Sequence, residues 1–291
     1  MHRNITGIAR AATDIMLAQH RPGLEITDHD IDGHAARIPL RAYRPAASRP
    51  KIPVIVYFHG GRFIGGGMDE ADHTAAAIAT GTRAWVISVG YSLAPRYPFP
   101  TALEDGYLAV RWAVGHAQAH AADARRLGIA GNDAGANLAT GVAAMARDRG
   151  EIAIAAQALL APLLDPSMTR IGQGEGQALA NLAELARCYR AYLPEVAQQL
   201  HPYAAPLESR RLAGLPPTWI ATARHDCLQQ EAELYAGALR AAGIVTEVLS
   251  YAAPSREALE TDPAALAGLI AFFGQRLAPP GARPRKSRIS L

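Results

Sequence analysis

The stretch Leu127-Gly-Ile-Ala-Gly-Asn-Asp-Ala-Gly-Ala-Asn137 constrains this chain more than any other. An apolar run of strand length enters a turn with Gly131 and Gly135 on either side of one central residue, Asp133, and alanine-rich sequence leaves it as a helix expected from near Ala136 to Arg149. Glycines at these two places remove the Cβ atoms that would keep a helix from packing against its own strand. A strand feeding directly into an overlying helix is the unit of a helix-covered sheet, so the rest of the chain must supply neighbouring strands.

It does so in alternation. Ile52-Pro-Val-Ile-Val-Tyr-Phe58 is a continuous apolar run, the pattern of a strand buried on both faces of a parallel sheet, and Ala84-Trp-Val-Ile-Ser-Val-Gly90 reads as the next buried strand. Further strands are expected over Ala155 to Leu160, Pro217 to Thr222 and Val245 to Tyr251, and alternation at Ile38, Leu40 and Ala42 predicts a half-buried edge strand over 36–43. Helical spacing predicts helices over 74–80, 102–116, 229–242 and 263–277. The resulting fold class is α/β, a mostly parallel central sheet flanked by helices, formed by one domain over 1–291 with no linker or internal repeat. Helical spacing at Ile5, Ile8, Ala12 and Ile15, and strand-free sequence over 166–212, predict lid segments at about 1–25 and 166–212; residues 279–291 read as a disordered tail.

Composition excludes several classes. The formal charge is only +3, and part of it lies in Arg283, Arg285, Lys286 and Arg288, so nothing resembles a nucleic-acid-binding stripe. Cys188 and Cys227 have neither metal-type spacing nor the pattern of a disulfide scaffold. With no apolar run of membrane-spanning length and no secretory leader pattern, the expectation is a cytoplasmic protein without metal, cofactor or membrane partner.

His59-Gly60-Gly61, the run Tyr91-Ser-Leu-Ala-Pro-Arg-Tyr-Pro-Phe-Pro-Thr-Ala-Leu-Glu-Asp105, the turn at Asp133 and Pro202-Tyr-Ala-Ala-Pro-Leu207 together resemble the hormone-sensitive-lipase family of α/β-hydrolases, from about Glu25 to Leu277. The resemblance implies a carboxylesterase-like site: a Ser-His-Asp triad with the serine on the strand-to-helix elbow, and an oxyanion hole of backbone amides matching Gly60, Gly61 and Ala134. The triad acid matches Asp226. At the serine position stands Asp133, preceded by Asn132 in place of an aspartate, and Arg256 falls where the histidine belongs. A family precedent for pairing through the last strand and helix implies a homodimer.

Two replaced triad positions point to a degenerate hydrolase that binds a small acyl or aromatic ligand or ester-like molecule, since serine needs a neighbouring base and arginine stays protonated. The alternative is an active enzyme with Asp133 as nucleophile or base. Arg256 is expected to reach towards Asp133 or Asp226. His225, adjacent to Asp226, is the candidate rescue base, against its reading as a surface histidine. His59 reads as scaffold for the oxyanion loop, and His73, His116 and His120 as solvated helix residues. Cys227 lacks the surroundings of a reactive thiolate. Arg62 either binds an acidic ligand or reaches solvent. Met16, Phe63, Leu182 and Tyr189 are candidates to line an apolar pocket under the lid, or for ordinary core.

Overall fold

The computed structural model describes residues 21–46, 51–170 and 177–279. The expected N-terminal lid helix and, of the expected tail over 279–291, all but residue 279 lie outside the described residues. Eight strands form one sheet: β1 (Leu24–Asp32), β2 (Arg37–Pro45), β3 (Ile52–Phe58), β4 (Trp85–Val89), β5 (Ala122–Asn132), β6 (Ala156–Leu160), β7 (Thr218–Ala223) and β8 (Thr246–Tyr251). Their spatial order is β1-β2-β4-β3-β5-β6-β7-β8. From β4 to β8 every pairing is parallel, while β2 runs antiparallel to β4 and β1 antiparallel to β2.

Strand β1 corrects two expectations. The N-terminal lid cannot extend past Leu24, and β2 is not the edge. Leu24-Glu-Ile-Thr-Asp-His-Asp-Ile-Asp32 alternates weakly because its faces are only half-buried or exposed, which left it without a strand signal. Across it, β2 is covered from both sides, and its inner residues Leu40 to Tyr43 are buried.

The helices are α1 (Asp72–Thr82), α2 (Thr101–His116), α3 (Ala134–Arg149), α4 (Gln177–Tyr192), α5 (Gln229–Ala241) and α6 (Pro263–Arg276). Because successive side chains of a strand point to opposite faces, β3 divides its residues between two cores. Val54, Val56 and Phe58 join the layer under α2, α3 and α5; Ile55 and Tyr57 join the layer under α1 and α6. Among the described residues, the segment 166–212 contains no strand and carries α4 with two short 3-10 turns, at Val196–Leu200 and Pro206–Glu208.

The parallel strands all end at one edge of the sheet, and crossover connections leave a crevice there. The loops after β3, β5, β7 and β8 meet at this edge, and they hold the residues singled out above.

Candidate active site

The elbow is built by close backbone approach. Asp133 has φ 54° and ψ −118°, outside the helical region, and α3 begins at the next residue, two earlier than its apolar spacing suggests. A Cβ on Gly131 would meet the Gly135 carbonyl at 2.3 Å, and one on Gly135 would meet the Phe58 carbonyl at 2.2 Å. The turn therefore requires glycine on both sides, and it holds the Asp133 side chain above the end of β5. Strain of this kind at a non-glycine residue is characteristic of functional positions.

The loop after β3 turns towards this side chain. Gly61 has φ 115°, and a Cβ there would strike the Gly65 carbonyl. The amides of Gly61 and Arg62 donate to Asp133 Oδ2 at 3.2 and 2.8 Å. Neither Gly60 nor Ala134 donates to Asp133, so the amide pair facing the carboxylate lies one residue further along the loop than the family pattern suggests. His59 is 2% exposed. Its ring stacks on Tyr91 at 4.2 Å, and the Tyr91 hydroxyl donates to the His59 carbonyl at 2.8 Å. Burial pushes the imidazole below its usual range. It is scaffold.

Arg256 reaches the same carboxylate from the loop after β8. Its Nη2 lies 3.4 Å from Asp133 Oδ1, and its Nε lies 4.0 Å from Asp226 Oδ2. The Ala161 carbonyl also accepts from Nη2, at 2.5 Å. The guanidinium side chain is 13% exposed, and those of Asp133 and Asp226 are 15% and 4%. Burial works against the guanidinium's charge, but Asp226, Asp133, Glu231 and Glu257 together raise its pKa above the usual value. Asp226 is fixed in turn by the Leu228 amide, which donates at 3.0 Å. The structure thus brings Asp133, Arg256 and Asp226 into one charge-paired row.

His225 stands apart. It is exposed and forms no hydrogen bond to Asp133 or Asp226, although it lines the same cavity as Asp226. Burial, and secondarily the charge of Asp226, push the Cys227 thiol up, which disfavours a thiolate. His120 is corrected from solvated to half-buried, with its ring stacked on Trp85 at 4.2 Å. His116 is exposed but leans on Trp112, and His73 is exposed. Leu182 lines a cavity, Phe63 and Tyr189 are buried core residues, and Met16 lies outside the described residues. Arg62 is part-exposed but tied down by two ion pairs: its Nη1 pairs with Glu184 Oε2 on α4 at 2.7 Å and its Nη2 with Glu257 Oε1 at 3.0 Å.

Several carboxylates escaped the sequence reading. Glu260 accepts from Tyr57 Oη at 2.9 Å and Asn132 Nδ2 at 2.5 Å, and burial raises its pKa. That contact explains Asn132: an aspartate there would face Glu260 as a second carboxylate, whereas the amide donates to it. Glu231 is 1% exposed. Burial pushes its pKa up to about 8 although the Leu164 and Asp165 amides donate to it. The only early signal for Glu260 was Asn132 itself, since the two are 128 residues apart.

The sequence pattern of the α/β hydrolase fold matches residues 55–254, a span that includes the β3 loop, the elbow and Asp226. The chain belongs to the hormone-sensitive-lipase-like α/β-hydrolases. Within that family it is 36% identical to the esterase LipI of Mycobacterium tuberculosis, over 84% of this chain and 78% of the relative. It is 35% identical to carboxylesterase NlhH of the same organism, over 72% and 68%. Among solved structures it resembles the Pyrobaculum calidifontis esterase, with TM-score 0.78, 29% identity and coverage of 93% of this chain and 92% of that one. The carboxylesterase EstE1 from a metagenomic library is similar to it with TM-score 0.80, 28% identity and coverage of 94% and 96%. The family fold supplies the site described here, a carboxylesterase-like one. Among the described residues no group of His, Cys, Asp and Glu could hold a metal ion, and no helix is long and apolar enough to cross a membrane.

Proposed function

We propose that this chain is a hydrolase-fold binding protein that takes a small acyl or aromatic ligand and lacks serine-esterase turnover. One observation carries the reading: the Asp133 carboxylate accepts from both the Gly61 and Arg62 amides, while Arg256 lies against its other oxygen. Oxyanion stabilisation works because preorganised donors wait for charge that develops only in the transition state. Here Gly61, one of the three family-matched donors, already holds the Asp133 carboxylate together with the neighbouring Arg62 amide. A histidine base is also wanting at the position that Arg256 fills, and a guanidinium cannot take a proton.

Attack by Asp133 itself, forming an ester intermediate, is favoured by its place on the strained elbow. It is opposed by the pairing of both its oxygens and by the engagement of the nearby carboxylates Glu257, held by Arg62, and Glu260, held by Tyr57 and Asn132, which are the groups that would have to activate water for the second step. Pairing of two copies through β8 belongs to the same reading, supported by Val245 and Leu249, 53% and 44% exposed at the open edge of the sheet.

The test is hydrolysis of short- and medium-chain 4-nitrophenyl esters. The expected result is no turnover above buffer. Turnover that disappears in Asp133→Ala would overturn the reading in favour of a carboxylate nucleophile.

A further inference from the structure

Two cavities flank the charge-paired row. One, of about 300 Å³, lies over the oxyanion loop and is lined by Gly61, Asn132, Asp133 and Glu260 among others. The second, of about 250 Å³, lies against α4 and is lined by Leu182, Leu185, Asp226, Leu228 and Pro254 among others. Small-molecule sites run from roughly 300 to 1,000 Å³, so each alone is at or below the small end of that range, and the two joined would fall within it.

Arg62, Arg256 and Glu257 line both cavities, so these three side chains form the boundary between them. They are not held equally. The Arg256 side chain is 13% exposed, donates to the Ala161 carbonyl and lies within ion-pair range of both Asp133 and Asp226. Arg62 and Glu257 are held across the boundary by a single ion pair of 3.0 Å, and the Glu257 side chain is 58% exposed. An ion pair with one partner so open to water is screened by salt and costs little to break. The tie from Arg62 to Glu184 anchors the same arginine to α4, but Glu184 lines neither cavity.

We propose that the Arg62–Glu257 ion pair is a removable partition that sets the length of ligand this site accepts. Closed, it confines an uncharged acyl or aryl compound to one chamber; open, it joins the chambers into one elongated site. The ligand is uncharged because the Asp133 carboxylate already takes the Gly61 and Arg62 amides, and an anionic group beside it would meet its like charge. The inference rests on the ligand-binding reading above and adds to it the two residues that determine specificity.

The experiment measures binding of a series of 2-alkanones, from butanone to dodecanone, to the full chain by saturation-transfer NMR. In the wild type, affinity is expected to rise about fourfold per added methylene until one chamber is full, and then to stop rising. Arg62→Ala and the conservative surface change Glu257→Gln extend the rise to longer ketones, and about 1 M salt moves the wild type the same way. Glu184→Gln, which breaks only the tie to α4, leaves the cut-off in place. An identical cut-off in the wild type, Arg62→Ala and Glu257→Gln would overturn the partition. Ester turnover by the wild type would overturn the non-hydrolytic reading alone, leaving the cut-off comparison intact, and absence of ketone binding in every protein would overturn both.

Discussion

Arg256→Met removes the cation that holds the centre together while keeping much of its side-chain volume. Two carboxylates lose their counter-charge, Asp133 at 3.4 Å and Asp226 at 4.0 Å. With an effective dielectric constant near 20, attractions at those separations are about 5 and about 4 kcal/mol, before the cost of taking the three charges out of water. That cost cancels much of the gain, and measured losses on breaking a buried pair fall at about 3–5 kcal/mol, because the remaining charge is stranded. The Asp226 side chain is 4% exposed and cannot rehydrate without opening the loop, so the same range applies here. Urea unfolding followed by circular dichroism at neutral pH should show this loss, together with a melting temperature lower by about 6–10 °C. In an Asp133→Asn background the same substitution should cost less by about 1–3 kcal/mol, the usual coupling of contacting residues. The amide still accepts from the Gly61 and Arg62 amides but no longer carries a charge. If Arg256→Met costs under about 1 kcal/mol, or costs the same in both backgrounds, Arg256 does not neutralise Asp133 and the reasoning about the centre fails.

Restoring the serine alone, by Asp133→Ser, should leave 4-nitrophenyl acetate hydrolysis at the buffer rate. Adding Arg256→His should raise it at least about tenfold, since a histidine there lies between the elbow and Asp226 and the triad acts as a unit. Glu231 supplies a pH dependence of stability. Its pKa is raised in the folded protein from 4.5 to about 8, so the folded state holds a proton that the unfolded state has released. This contribution is present in full below about pH 4.5 and is lost as pH rises towards 8, a fall of the order of 5 kcal/mol across the window. Glu231→Gln, whose carbonyl can still accept from Leu164 and Asp165, should flatten the fall; an unchanged slope in denaturant titrations at pH 5 and 9 would rule the group out.

What the amino-acid sequence determined by itself was whatever depends on neighbours along the chain. An uninterrupted apolar run specified β3, and mostly apolar runs specified β4 and β7, since a strand buried on both faces has little room for polar side chains, Ser88, Thr218 and Thr222 being the buried exceptions. The pair Gly131 and Gly135 specified the elbow, since only glycine permits that approach. The substitutions at Asp133 and Arg256 were equally plain, because the elbow and the loop after the last strand fix where they fall. Strand β1 was hidden because its pairing with β2, rather than burial, holds it in the sheet. Tertiary structure alone decided what the altered residues do. Whether Arg256 faced Asp133 or solvent, whether Arg62 joined Glu184 and Glu257, and why Asn132 replaces an aspartate all depend on contacts between segments far apart in sequence. Charge pairing carries no periodicity for a sequence to display: a carboxylate's partner is set by the loop that folding places beside it, and by how much water that loop excludes.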